Sequence, residues 1–256
     1  MVGPEVGIVT SPNGDDDRTD RIETAVVQAG GTPAVGDVEH VLGGGADWIV
    51  ADGERALLSL ARSASAGPVL PVEAGRGVQS VPIDAVEPAM ETVVAGESDT
   101  IERRLLRADL NGNAAVALFD VSFVTTEPAR ISTFTVKSGE TFVEEFRGDG
   151  VVIATPAGSR GYAARAGGPT LDPGTGVVAV VPVAPFATDT TDWILEAADV
   201  QVTADCAEAE VTMYADDYEV GVVPCDEFVT ISTAGRMALF VVPESRSFYD
   251  DEEPPQ

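Results

Sequence analysis

Positive charge is the scarcest feature of this 256-residue chain: Lys and Arg number 15 against 43 Asp and Glu, a formal net charge of −28. Lys137 is the only lysine, His40 the only histidine, and Cys206 and Cys225 the only cysteines. So acidic a surface repels nucleic acid and anionic membranes, which excludes both as partners. One histidine excludes a histidine-rich zinc cluster and leaves a histidine-based triad without support. His40, in Val38-Glu39-His40-Val41-Leu42, reads as an ordinary loop or strand residue. The two cysteines read as reduced, buried core residues, neither a disulfide nor a metal pair. No apolar run approaches the ~18 residues of a membrane helix and no apolar leader opens the chain, so the cytoplasm is the expected location.

Apolar residues make up 44% of the sequence, which marks a globular chain, long enough for one large or two modest domains. Residues 6–10 read as an opening strand, 15–18 as a polar break, and 21–29 as a helix ended by Gly30-Gly31. A strand over 32–38 follows. Gly43-Gly44-Gly45 lacks a following lysine and precedes a strand, so it is a plain connector. Residues 83–96 carry helical spacing, and composition shifts near Glu97. From Thr100 the period becomes two, with strands over 114–126, 131–136, 141–146, 151–154 and 177–183, then 200–203, 210–214, 219–223, 228–233 and 237–242. The pattern predicts an α/β domain followed by a β-rich one.

Residues 148–169 concentrate the small side chains. Gly148-Asp149-Gly150 precedes the β-branched run 151–154, and Thr155-Pro156 ends that strand because proline lacks a ladder donor. Residues 157–166 then read as a helix with Ser159 as its N-cap, stopped by Gly167-Gly168-Pro169. With almost no bulk at this turn, backbone N–H groups can approach a ligand, and Gly158 is expected to leave that ligand its space. Gly148-Asp149-Gly150, Thr155-Pro156, Gly158-Ser159, Tyr162 and Ala166-Gly167-Gly168-Pro169 together resemble the signature of the NAD kinase family. The resemblance extends from residue 6 to about residue 242.

Trp48-Ile49-Val50-Ala51-Asp52-Gly53-Glu54-Arg55 resembles that family's strand, Gly-Gly-Asp-Gly-Thr loop and helix. There the glycines let the backbone wrap the donor triphosphate, and the aspartate is the general base toward the ribose 2′-hydroxyl. Asp52 and Gly53 match, whereas Val50, Ala51 and Glu54 replace two glycines and the threonine. Side chains at 50 and 51 are expected to restrict positive-φ backbone. Glu54 is expected to set a like charge beside the phosphates, which costs ~4 kcal/mol at about 4 Å and an effective dielectric of about 20. Ala117-Leu118-Phe119-Asp120-Val121 resembles Ala-Leu-Asn-Glu-Val, whose Asn and Glu bind the adenosine part of NAD. Asp120 keeps a carboxylate for ribose hydroxyls, and Phe119 offers a ring to stack on a base. Pro71 and Glu73 stand in place of a family glycine and asparagine, and Phe186 in place of a histidine. Residues 214–217 fall where the family has an Asp-Gly turn.

The resemblance implies an α+β two-domain fold. A Rossmann-like α/β domain spans 1–98 and a β-sandwich-like domain 99–233. Residues 234–256 hold a last strand returning to the first domain and an acidic disordered tail at 250–255. It assigns catalysis to Asp52 and the donor-phosphate loop to Asp52, Gly53, Glu54 and Arg55. It assigns NAD binding to Phe119, Asp120, Asp149, Thr155, Gly158, Ser159 and Tyr162. Arg160 and Arg165 replace small residues of the signature helix and lie about 140° apart on it, so one of them can meet a phosphate. The donor is ATP or polyphosphate with Mg²⁺, NAD is the substrate, and no metal ion is held by the chain itself. A homo-oligomer, dimer or tetramer, is also implied. Two readings stay open: an NAD kinase with a divergent donor loop, and a non-catalytic, nucleotide-binding member of the family.

The charge excess fits a salt-adapted protein, because self-repulsion fades as the Debye length shrinks to about 3 Å in molar salt. The melting temperature is expected to rise steeply between about 0.1 and 2 M KCl; a flat profile across that range would refute salt adaptation.

Overall fold

A computed structural model describes residues 3–12, 14–63, 67–127, 130–187, 190–205 and 209–249. Cys206 and the acidic tail at 250–255 lie outside these residues. The chain divides into two compact units, Met1–Arg103 with Met237–Gln256, and Arg104–Arg236. Among the described residues no helix is long and apolar enough to cross a membrane.

The first unit alternates strand and helix. In order come β1 (Glu5–Val9), α1 (Asp16–Gln28), β2 (Thr32–Gly36), α2 (Val38–Gly44), β3 (Trp48–Asp52), α3 (Glu54–Arg62), β4 (Val69–Val72) and α4 (Val86–Val94). The strands are parallel in the order β2-β1-β3-β4. The chain therefore steps from β1 to one side, then returns to build on the other. Helices α1 and α4 pack together, as do α2 and α3. The core between helices and sheet includes Ile8, Ile22, Val50, Leu70 and Met90. The expected polar break at 15–18 is instead the first turn of α1, because the Asp15 carboxylate caps it by accepting the Arg18 N–H at 3.2 Å. His40 belongs to α2, not to a loop or strand, and Asp37 caps that helix.

The second unit is built of antiparallel strands: β5 (Asp99–Leu110), β6 (Asn113–Ala117), β7 (Asp120–Thr125), β8 (Ser132–Ser138), β9 (Thr141–Gly148) and β10 (Gly150–Ala154). After the short helix α5 (Tyr162–Arg165) come β11 (Val177–Val183), β12 (Trp193–Glu196), β13 (Val200–Asp205), β14 (Val211–Ala215), β15 (Tyr218–Val222) and β16 (Val229–Val241). Strands β5 and β16 each contain one of the division points, and beyond its point β16 pairs Leu239 with Val69 of β4. A six-stranded sheet runs β12-β11-β10-β7-β14-β15, and β16, β13, β8 and β9 form a second layer. Phe123, Ile153, Val180 and Met213 of the first layer share a core with Phe134, Val136, Val202 and Ile231 of the second. On the other face of the six-stranded sheet, Val152, Ala154 and Val181 pack against Ala163 and Leu171. Strands β1 and β10 lie in different sheets.

Four further expectations change. The predicted strand 114–126 is two strands broken at Leu118-Phe119, and the strands at 228–233 and 237–242 are one continuous β16. The predicted helix 157–166 is a 3₁₀ turn (Gly158–Arg160) followed by α5, with the break at Gly161. Cys225 is free and exposed, not buried, because it follows β15 in a connection rather than in a strand.

Candidate functional site

In the second unit the chain enters the signature stretch through two close strand contacts. A Cβ at Gly150 would fall 2.3 Å from the Phe123 carbonyl oxygen, and one at Gly148 would fall 2.8 Å from that of Val183. Between them Asp149 donates its N–H to the Val183 carbonyl at 2.9 Å, and its own carbonyl accepts the Thr125 N–H at 2.9 Å. Only glycine permits this approach on either side of Asp149.

Past β10 the turn is fastened to the Leu118-Phe119 break. The Thr155 hydroxyl donates to the Leu118 carbonyl at 2.7 Å and accepts the Gly158 N–H at 3.1 Å. The Thr155 N–H donates to the Phe119 carbonyl at 2.8 Å. Ser159 is fully buried and does not cap a helix; its hydroxyl donates to the Pro156 carbonyl at 2.7 Å and accepts the Leu171 N–H at 3.0 Å. Thr155, Gly158 and Ser159 are thus the frame of the turn. Gly158 in particular does not reserve space for a ligand, because a Cβ there would stand 2.0 Å from the Phe119 carbonyl oxygen.

The Leu118–Asp120 segment is held from the opposite side by Asp216, in the turn between β14 and β15. Its carboxylate accepts the N–H groups of Leu118 at 2.8 Å, Phe119 at 2.7 Å and Asp120 at 3.0 Å, and its own N–H donates to the Asp120 carbonyl at 2.9 Å. Charge-assisted bonds of this kind are worth about 1.5–3 kcal/mol each. Asp120 is thereby fixed, buried, at the start of β7, and Phe119 beside it is half-buried.

Tyr162 links the two acids. Burial raises its phenol above the ordinary tyrosine value, and the Asp120 and then the Asp149 carboxylates push it further in the same direction. The phenol therefore remains a neutral hydrogen-bond donor throughout the physiological range. Asp120 and Asp149 are the predicted residues whose carboxylates act electrostatically on the exposed Tyr162. Arg160 is half-buried in the 3₁₀ turn and Arg165 exposed in α5. With the helix broken between them, a constant rotation per residue no longer relates the two.

In the first unit, β3 ends at Asp52 and Gly53 turns the chain into α3 with φ 89°. Asp52 is buried: Arg18 donates Nε to its Oδ1, and the Thr19 hydroxyl donates to its Oδ2 at 2.5 Å. Beside this pair lies a cavity of about 480 Å³, lined by Ser11, Asp15, Arg18, Asp52, Gly53 and Arg55 among others. It opens where the carboxyl ends of β1 and β3 meet the starts of α1 and α3. That is where the strand order reverses, the position at which doubly wound sheets leave a crevice for ligands. Glu54 and Arg55 are exposed in the first turn of α3. Among the described residues no group of three His, Cys, Asp or Glu side chains is arranged to hold a metal ion.

A family model of the ATP-NAD kinase C-terminal domain matches residues 119–242. The NAD kinase of Methanosarcina acetivorans is 31% identical over 233 residues, covering 88% of this chain and 82% of that protein. The chain belongs to the NAD kinase family. An NAD kinase from Archaeoglobus fulgidus in complex with ATP shares the fold at a TM-score of 0.74 and 20% identity, with 93% of each chain covered. Yeast NADH kinase complexed with NADH gives a TM-score of 0.78 at 14% identity, covering 94% of this chain and 84% of that one.

Within this NAD kinase fold the departures at Val50 and Ala51 are not strained. Both are fully buried residues of β3, paired with Leu70 and Pro71, and positive φ is needed only at Gly53. The roles of three residues were not read from the sequence: Arg18, placed there in a polar break, and Thr19 hold Asp52, and Asp216, placed there in the stretch matching the family's Asp-Gly turn, accepts three amides. The signal for the first two was a charged and hydroxyl pair opening the helix after the first strand of a doubly wound sheet.

Gly158→Ala is expected to destabilise the protein by about 3 kcal/mol, the upper range for overpacking, since backbone blocks the new methyl. Gly43→Ala, where nothing lies within 4 Å of the added carbon, is expected to leave stability unchanged or raise it. Equal melting temperatures for the two variants would contradict the steric assignment.

Proposed function

We propose that this member of the NAD kinase family phosphorylates NAD at the adenosine ribose 2′-hydroxyl, making NADP, with ATP or polyphosphate as donor. The observation that carries the proposal is the cavity at the strand-order reversal, where Asp52 and Gly53 of the family loop line a space large enough for a phosphate chain. In this reading the first unit binds the donor and the second binds NAD. Asp120 accepts from ribose hydroxyls, Phe119 stacks on the adenine, Tyr162 donates from its neutral phenol, and Asp149 orients the substrate's polar edge. Asp52 takes the proton of the 2′-hydroxyl on a carboxylate oxygen as the new oxygen–phosphorus bond forms, while the bond from that phosphorus to the bridging oxygen of the donor breaks and ADP, or a polyphosphate one unit shorter, leaves. Mg²⁺ travels with the phosphates, whose charge it neutralises. The acid excess suits a salt-adapted cytoplasmic enzyme of NADP biosynthesis, and a homo-oligomer is part of the same proposal.

A second reading, nucleotide binding without catalysis, is favoured by one observation. Both oxygens of Asp52 are occupied by Arg18 and Thr19, and its side chain is unexposed. A coupled NADP-formation assay in molar KCl, with ATP and polyphosphate in separate arms, decides between the two. The kinase reading expects turnover by the wild type and a loss of about 10²-fold or more in Asp52→Asn, the size of a general-base contribution. NAD binding with no NADP formed from either donor would establish the second reading instead.

A further inference from the structure

Arg18 is a charged group in the first-unit cavity that none of the family motifs accounts for. It stands in the first turn of α1, its backbone fixed by Asp15. Its Nε bonds the buried Asp52, its side chain is 21% exposed, and Nη2 would meet a Cβ at Gly53 at 2.9 Å. One guanidinium thus touches the carboxylate, flanks the turn into α3 and lines the cavity. Of the acids around that space, Glu73 is tied to Arg246 at 2.8 Å and to the Ile83 N–H at 2.7 Å, Asp15 caps α1, and Glu54 lines the cavity from the exposed first turn of α3. Because Val50 and Ala51 are locked into β3, backbone wrapping of a ligand is limited to Gly53. A guanidinium at the same strand ends supplies attraction that a longer glycine loop would otherwise give. Its planar fork suits carboxylate and phosphate alike.

Resting on the phosphoryl-transfer reading above, we infer that Arg18 binds the phosphate chain of the donor, and that it holds Asp52 in place while that chain is absent. A phosphate entering the cavity competes with Asp52 for the guanidinium. When Arg18 turns to the phosphate, Oδ1 of Asp52 is released while Thr19 retains Oδ2. The same residue that sequesters the carboxylate therefore ties its release to donor binding. The ligand chemistry is a linear chain of phosphates, supplied by a nucleoside triphosphate or by inorganic polyphosphate.

The test is calorimetry of ATP and of tripolyphosphate, in molar KCl, against wild type, Asp52→Asn, Arg18→Lys and the double variant Arg18→Gln/Asp52→Asn. The double variant avoids leaving a buried carboxylate unpaired, and melting temperatures confirm that each protein is folded. Asp52→Asn frees Arg18 and is expected to bind tripolyphosphate several-fold more tightly than wild type. The double variant is expected to bind about tenfold or more weakly than Asp52→Asn, and Arg18→Lys to retain part of the affinity. Weakening of both ligands assigns Arg18 to the phosphate chain from either source; weakening of ATP alone commits the site to a nucleoside triphosphate. Equal affinities of Asp52→Asn and the double variant for both ligands would overturn the role of Arg18, as would absence of binding by wild type and Asp52→Asn. Turnover to NADP beside unchanged affinities would discard Arg18 alone. Absence of both binding and turnover would discard the kinase reading with it.

Discussion

Three amides converging on one carboxylate hold the second unit's candidate site together. Leu118 and Phe119 break the chain between β6 and β7, Asp120 opens β7, and the N–H groups of all three turn toward Asp216. Asp216 supplies an acceptor for all three and returns its own N–H to the Asp120 carbonyl. With the segment pinned from that side, the Leu118 and Phe119 carbonyls point to the other, where Thr155 takes both. The close passage of Gly158 against Phe119 follows, and with it the start of the turn that carries Tyr162. An anionic acceptor of several backbone donors is also a rigid one, since moving it would strand every amide at once.

The first unit solves a different problem with an ion pair. A chain with 43 acids and 15 basic residues has few cations to place, yet Arg18 is set against a buried carboxylate at the one crevice its strand order creates. Buried pairs seldom add net stability, because desolvating both charges offsets their attraction. Their value lies in fixing geometry, and here the geometry fixed is that of the family's aspartate. The surrounding acidity imposes a cost on any phosphate ligand that molar salt removes by screening.

Much of this was legible in the sequence because it rests on neighbours in the chain. β-branched runs between glycines and prolines marked most strands, and the Asp-Gly pair after Trp48 marked the turn into α3. The signature run from Gly148 to Pro169 identified the family. What stayed hidden depends on partners far along the chain. Asp216 lies 98 positions from Leu118 and Asp52 lies 34 from Arg18. Gly158 looked like room for a ligand because its real neighbour, the Phe119 carbonyl, is remote in sequence. The interval 234–236 separated two predicted strands and is instead part of β16, where Gly235 takes φ 114° without ending the strand. Ser159 looked like a helix cap, and its hydroxyl was already committed to Pro156 and Leu171.

The proposal that the Leu118–Asp120 segment binds NAD makes the Asp216 carboxylate, which accepts three of its amides, the group that preorganises it. Asp216→Asn tests it most directly, because the amide keeps the shape but sets an NH₂ group against one of the three backbone donors. Calorimetry of NAD against this variant in molar KCl is expected to show affinity reduced by about tenfold or more, while tripolyphosphate binding in the first unit stays as in wild type. NAD affinity equal to wild type in a variant with the same tripolyphosphate affinity would contradict the account.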